Sequence, residues 1–272
     1  MSPDDLYKAY KNLSAVAILP DATGADFRNL ESRRYVINTI DSKTGMPAEG
    51  SYSFDIYSAI DGVLYAGKAY LANPKVKGLK YFMINQAAFA RVKVGKGSPE
   101  EMEHILEVGL ACGHIKPVLK NVADFVDNYF GVDCTGFACA YFRTVGKMLD
   151  SSGNDKENPV NIGCGYFFDK AKTLNQIIWN LAEIRQGDVI VWMKEDRSET
   201  RKPGHISLIQ SIGENGTLYC RESNGSAAEG GKDPRMTERR LIGVEGDESK
   251  KNRYWKLEKN NSEQILILRP FV

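Results

Sequence analysis

The hydrophobic period of the sequence changes near Gly187, and this change limits the folds that the chain can adopt. Before Gly187, apolar residues recur at helical spacing, as at Val122, Val126 and Tyr129. After Gly187, apolar runs of strand length follow one another. Helices followed by consecutive strands indicate an α+β fold with an antiparallel sheet rather than alternating βαβ units.

Four strands are predicted after Gly187, at residues 188–193, 206–212, 217–222 and 265–268. The second and third flank the segment Gly213-Glu214-Asn215-Gly216, and Asn-Gly is a strong signal for a hairpin turn. These two strands should therefore pair with each other.

Helix signals dominate the first part of the chain. The clearest is Ser98-Pro99-Glu100-Glu101, which predicts a capping box and a helix that continues to about Ala111. Helices are also predicted at 4–19 and 170–184, and an apolar run lies at 35–40 between charged loops.

Composition excludes several classes of partner. The chain has 272 residues and a formal net charge of +1, which gives no basis for a nucleic-acid partner. The start, Met1-Ser2-Pro3-Asp4-Asp5, lacks the pattern of a secretory signal, and no apolar run reaches membrane-spanning length. We therefore expect no membrane span and synthesis in the cytoplasm.

The five cysteines argue against structural metal sites and disulfides. Their number is odd, and none of them forms a Cys-x-x-Cys pair. Free thiols in a reducing compartment are the simplest interpretation. We predict neither a bound metal nor a cofactor.

One cysteine has the setting of a nucleophile. Cys134 follows a break at Gly131 and comes just before a helical apolar pattern, so it should lie at the start of a helix. The unpaired N–H groups and the dipole at that end favour a thiolate. The alternative is that Cys134 is only a small buried residue.

A histidine with a polar neighbour would complete such a site. His205 stands at the start of a predicted strand, whereas His104 and His114 are interpreted as surface or capping residues. With a two-residue hairpin loop, His205 shares a face with Glu222 and Asn224, either of which could orient its imidazole. A three-residue loop would place Ser223 there instead.

These residues occur in motifs that resemble a known family. Asp133-Cys134-Thr135-Gly136-Phe137 is similar to the Asp-Cys-Ser-Gly-Phe signature of the NlpC-type cysteine peptidases. The segments 181–192 and 204–209 resemble the two family segments that lead up to and contain the catalytic histidine. Glu222 and Asn224 are instead similar to the pattern of the sister CHAP family, the cysteine/histidine-dependent amidohydrolases and peptidases. The Tyr-x-x-Gly-Gly element usual before the family cysteine is missing.

The resemblance covers roughly residues 117–272 and implies a papain-like catalytic domain, with helices packed on an antiparallel sheet. It implies that Cys134 is the nucleophile and that His205 is the general base and then the acid. Glu222 would orient the imidazole, with Asn224 as a supporting or alternative residue. We predict a catalytic domain at 96–272 and an N-terminal mixed α/β extension of unknown role at 1–95.

The family resemblance also implies a substrate class, namely amide bonds in the peptides of bacterial peptidoglycan. Because the sequence lacks a secretory signal, one hypothesis is an antibacterial effector that a dedicated secretion system exports. Such an effector would need an immunity protein as a partner in the producing cell. The alternatives are a cytoplasmic enzyme that recycles cell-wall peptides, an acyltransferase, transamidase or deamidase acting on a protein, and a binding module without catalysis.

Overall fold

The computed structural model of the protein describes residues 1–32, 52–73, 82–194, 202–223, 234–245, 253–258 and 260–271. The apolar run at 35–40 and the predicted site residue Asn224 lie outside these ranges. The described chain forms two compact units, which are considered one at a time. The N-terminal unit lies within residues 7–136, and the barrel unit within residues 1–6 and 137–271.

The N-terminal unit is mainly helical. Its elements are α1 (Pro3–Tyr10), which begins in the other unit, β1 (Leu13–Ile18), β2 (Gly24–Leu30), α2 (Tyr52–Ala72), α3 (Gln86–Lys93), α4 (Pro99–Ala111) and α5 (Leu119–Tyr129). The helix predicted for residues 4–19 is wrong beyond Tyr10, because the chain turns into the hairpin of β1 and β2. Alternating burial along β1 shows a strand with one face in the core.

Helix α4 is central to the N-terminal unit and contacts β1, α2 and α3. The capping box predicted at its start is confirmed. The Ser98 side chain accepts a hydrogen bond from the Glu101 backbone N–H, and the Glu101 carboxylate accepts one from the Ser98 N–H. Met102, Ile105 and Leu106 are fully buried, so the helix supplies much of the core of this unit.

Two further helices precede the barrel strands. They are α6 (Cys134–Thr144) and α7 (Cys164–Thr173). The helix predicted at 170–184 is therefore displaced, since α7 ends at Thr173 and residues 181–183 form only a 3-10 turn. Phe142, Phe167 and Phe271 pack together, with ring centroids 4.7–6.4 Å apart.

Six antiparallel strands close into a barrel. They are β4 (Val189–Lys194), β5 (Lys202–Ile212), β6 (Thr217–Ser223), β7 (Pro234–Glu245), β8 (Tyr254–Leu257) and β9 (Asn260–Leu268). Neighbouring strands pair in the order β9-β4-β5-β6-β7-β8, and pairing of β8 with β9 closes the circle. A short strand, β3 (Ile177–Ile178), also pairs with β9.

The prediction of a papain-like domain with helices packed on a sheet is wrong, because the strands form a closed six-stranded barrel. Two of the strands that complete it, β7 and β8, were not predicted. In β7 the charged residues Arg235, Glu238, Arg239 and Arg240 interrupt any apolar alternation, so its sequence gives a weak strand signal.

Much of the interior of the barrel is apolar. One cluster of buried side chains fills it: Ile178, Ile184, Ile190, Ile209, Leu218, Cys220, Leu241, Trp255, Leu257, Ile265 and Ile267. Trp255 also donates a hydrogen bond from Nε1 to the Ile178 carbonyl oxygen at 2.7 Å. Trp255 is therefore a core residue, although charged residues surround it in the sequence.

Within the described ranges, no helix combines the length and the apolar character needed to cross a bilayer. None of the five cysteines forms a disulfide. The predicted functional boundary between residues 95 and 96 stays a prediction.

Candidate functional site

His205 lies on β5 between two other strands of the barrel. On one side it pairs with Trp192 of β4, and the two ring centroids are 5.1 Å apart. On the other side its Nε2 atom lies 2.8 Å from Oε2 of Glu222 on β6. The His205 side chain is 20% exposed, whereas that of Glu222 is fully buried. The structure therefore brings together two of the four predicted site residues.

His205 and Glu222 share a face of the sheet because odd positions of β5 here pair with even positions of β6. This pairing does not come from a two-residue turn. Residues 213–216 separate the strands, and Ile212 pairs with Leu218, so both positions of that pair are even. A bulge between Ile209 and Ser211 then restores the pairing of odd with even positions along the rest of β5. The expected neighbours meet, although the bulge rather than a two-residue loop puts them on one face.

The contact with Glu222 occupies Nε2 of the imidazole. A carboxylate at this position holds the ring in one tautomer. Proton transfer to or from a reacting group would therefore use Nδ1. This division of the two nitrogens is what general acid–base catalysis by a histidine requires.

Ser207 adds a second polar side chain to the same face of β5, because side chains alternate along the strand. Its Oγ is buried and has no hydrogen-bond partner in the described part of the chain. Ser207 pairs with Ile190 of β4, whose side chain belongs to the barrel core. Sequence reasoning missed Ser207 because a serine inside an apolar strand has no motif of its own.

Cys134 belongs to the N-terminal unit and is the first residue of α6. Its side chain is buried, with 9% exposed. The preceding residue, Asp133, caps the helix, because its Oδ1 accepts a short hydrogen bond from the Gly136 N–H and another from Thr135 Oγ1 at 2.9 Å. The predicted position of Cys134 at a helix start is confirmed.

Close packing requires a glycine at position 136 of the motif. The turn before α6 packs directly on the backbone at Gly95, whose carbonyl oxygen accepts a hydrogen bond from the Asp133 N–H at 2.9 Å. A Cβ atom on Gly136 would overlap that same carbonyl oxygen. Only glycine allows this close approach without moving the backbone.

Lys96 is the residue of this region that sequence reasoning missed. Its Nζ lies 2.6 Å from Oδ2 of Asp133 and also donates a short hydrogen bond to Thr135 Oγ1. The side chain is only 6% exposed. Burial raises the pKa of the Asp133 carboxyl, and the Lys96 ammonium group opposes that rise. The one available signal was a lysine between two glycines, Gly95 and Gly97, ahead of a capping box.

The loop that carries Lys96 is held by several contacts. The Lys96 N–H donates to the Arg91 carbonyl oxygen at 2.8 Å, and the Tyr10 hydroxyl donates to the Gly97 carbonyl oxygen at 2.7 Å. Arg91 also donates from Nε to Oε1 of Glu101 at 2.8 Å, inside the core. These buried partners fix the loop that faces the start of α6.

Asp188 has a structural role. Its Oδ2 accepts a hydrogen bond from the Arg185 N–H at 2.8 Å, which closes the turn before β4. Arg269 donates to both carboxylate oxygens, each at 2.8 Å. The bidentate pair joins this turn to the end of β9.

The described residues contain no group of three or more His, Cys, Asp or Glu side chains that could hold a metal ion. What the two units offer is a thiol at a capped helix start and an imidazole bound to a buried carboxylate. These are the groups that nucleophilic catalysis by cysteine uses. Comparisons with protein-family models, with curated proteins and with solved structures found no match to this chain.

Proposed function

We propose that this protein is a cysteine hydrolase that cleaves amide bonds in the peptides of bacterial cell walls. The observation that carries the proposal is the 2.8 Å contact between His205 and the buried carboxylate of Glu222. A buried glutamate bound to a histidine is costly unless the pair is satisfied, and it is a common device for orienting a catalytic base. The substrate class comes from the resemblance of the motif around Cys134.

In the proposed reaction, the Cys134 thiolate attacks the carbonyl carbon of the amide, and the oxygen takes the negative charge. The Cys134 backbone N–H, at the start of α6, is a candidate donor to that oxygen. His205 accepts the thiol proton and then gives it to the leaving nitrogen, so the C–N bond breaks and a thioester remains. Water, deprotonated by His205, attacks the thioester and releases the acid and the thiol.

The proposal requires the Cys134 thiol and the His205 imidazole to exchange a proton during turnover. Glu222 stabilises the imidazolium that forms in that step. Because Glu222 has no solvent exposure, its charge acts at low dielectric, where its effect on the ring is larger than in water.

The test is incubation of the purified protein with peptidoglycan fragments, with the products resolved by mass. We expect new amino and carboxyl termini with the wild type, and a loss of at least about 10³-fold in rate with Cys134→Ala. Cys139→Ala is the matched control, because Cys139 is a fully buried cysteine of the same helix. It should keep most of the activity.

Two outcomes would contradict the proposal. Equal rates for Cys134→Ala and the wild type would exclude the thiol as nucleophile. Intact fragments, together with a covalently modified protein acceptor, would favour the acyltransferase, transamidase or deamidase alternative.

A further inference from the structure

The Asp133 side chain has two opposing effects at the start of α6. Asp133 satisfies the orphan N–H of Gly136 and so fixes the first turn of the helix. Its carboxylate also belongs to the residue next to Cys134, and that cysteine adds to the rise that burial causes in the pKa of the Asp133 carboxyl. A carboxylate beside a thiol opposes formation of the thiolate, because like charges repel. The cap that positions the nucleophile therefore also works against its ionisation.

Lys96 lies where its positive charge can offset the Asp133 carboxylate. Its ammonium group contacts the Asp133 oxygen that does not cap the helix, at 2.6 Å, and also bonds to the Thr135 hydroxyl. The Lys96 side chain is 6% exposed, so water screens the pair only weakly. The ammonium is thus placed where it offsets the carboxylate without replacing it as the cap.

Several contacts fix the backbone around Lys96. The chain on either side is fixed through the Arg91 carbonyl oxygen and the Tyr10 hydroxyl, and Gly95 packs against Gly136. A buried lysine carries a large desolvation cost, which a buried carboxylate partner offsets. A fixed backbone around a paired, buried lysine is what a positioning residue requires.

We propose that Lys96 is a positioning residue for Cys134, and that its buried ammonium group offsets the Asp133 carboxylate so that the Cys134 thiolate forms near neutral pH. The inference rests on the proposed function, in which Cys134 is the nucleophile. Lys96 acts on the sulfur through Asp133 and takes no part in the transfer of atoms.

The experiment measures the rate at which iodoacetamide alkylates Cys134 as a function of pH, with the site identified by fragment masses. We expect Lys96→Met to raise the midpoint of this profile by about one pH unit, because the residue next to Cys134 then carries an uncompensated carboxylate. Asp133→Asn keeps a capping oxygen and removes the charge, so it should lower the midpoint. Lys93→Met is the matched control, because Lys93 forms an ion pair with Asp61 at 2.9 Å in the same unit. It should leave the midpoint unchanged.

The single variant Lys96→Met leaves an unpaired buried carboxylate and could fail to fold. The double variant Lys96→Met with Asp133→Asn leaves no unpaired buried charge, so the test does not depend on the single variant alone. If Lys96 acts by offsetting Asp133, the double variant should return to within about half a pH unit of the wild type. A midpoint raised by about one unit in the double variant would overturn the proposal. So would a folded Lys96→Met protein with the wild-type midpoint.

This readout is separate from hydrolysis. Failure to cleave peptidoglycan together with the expected shifts would reject the proposed substrate and leave the role of Lys96 in place. Cleavage of peptidoglycan without the shifts in alkylation midpoint would reject the proposed role of Lys96 and leave the proposed hydrolase function in place. A shift only in thermal stability, with an unchanged alkylation profile, would reduce Lys96 to a structural residue and overturn the inference.

Discussion

At the scale of single residues, the proposed chemistry depends on the contact between His205 and Glu222 in the barrel unit. The carboxylate has no exposed surface, and the imidazole is one-fifth exposed. Such a pair is costly to break from one side, because the remaining partner is left buried and unsatisfied. A neutral replacement of Glu222 that keeps its size and a hydrogen-bonding oxygen should affect the histidine more than it affects the fold.

Replacing Glu222 by glutamine tests this. The amide keeps the size of the side chain and loses the charge that stabilises the imidazolium, so we expect kcat/KM for the cell-wall peptide to fall by about 10²-fold or more. The measurement is the pH profile of kcat/KM, together with a melting temperature to confirm folding. Glu245→Gln is the control, because Glu245 pairs with Lys256 on the surface, and it should match the wild type. An unchanged profile for Glu222→Gln would exclude an electrostatic role for Glu222.

At the scale of secondary structure, small irregularities decide which side chains meet. The bulge between Ile209 and Ser211 sets the face on which Ser207 and His205 lie. A second irregularity, between Trp192 and Met193 in the pairing of β4 with β5, lies next to His205. Bulges redirect side chains at the ends of strands, and neither of these has a sequence signature as clear as Asn-Gly.

The first turn of α6 requires a glycine at position 136. We expect Gly136→Ala to lower the free energy of unfolding by about 1–3 kcal/mol, because the added methyl group overlaps the backbone at Gly95 and the loop must move. Gly165→Ala is the matched control, since Gly165 lies in the first turn of α7 with open space around it. It should be neutral, or stabilising by up to about 1 kcal/mol. Denaturant unfolding measures both, and equal values for the two variants would contradict the close approach.

At the scale of the whole molecule, the sequence predicts local structure far better than closure of the sheet. The capping box at Ser98, the helix start at Cys134 and the strands around His205 all follow from residue types within a few positions. Short-range signals of this kind are physically specific, since each satisfies named backbone groups.

The remaining errors have physical causes. Strand β7 is rich in charge, so periodicity does not reveal it, and barrel closure depends on β8 meeting β9 by long-range pairing. Lys96 contacts Asp133 across 37 positions of sequence, which no local pattern encodes. Whether residues 1–95 form a separate functional domain stays a prediction.

Closure of the barrel gives the last prediction. Trp255 lies on β8, one of the two strands that complete the circle, and fills the core while it bonds to the Ile178 carbonyl oxygen. We expect Trp255→Ala to lower the free energy of unfolding by about 3–5 kcal/mol, because a large cavity replaces the ring. Trp255→Phe keeps much of the ring and loses the hydrogen bond, so it should lose only about 1–2 kcal/mol. Fluorescence in urea measures this, since all three tryptophans lie in the barrel unit and two remain as reporters. Equal losses for the two variants would show that the ring of Trp255 does not fill the core, and that the barrel closes without it.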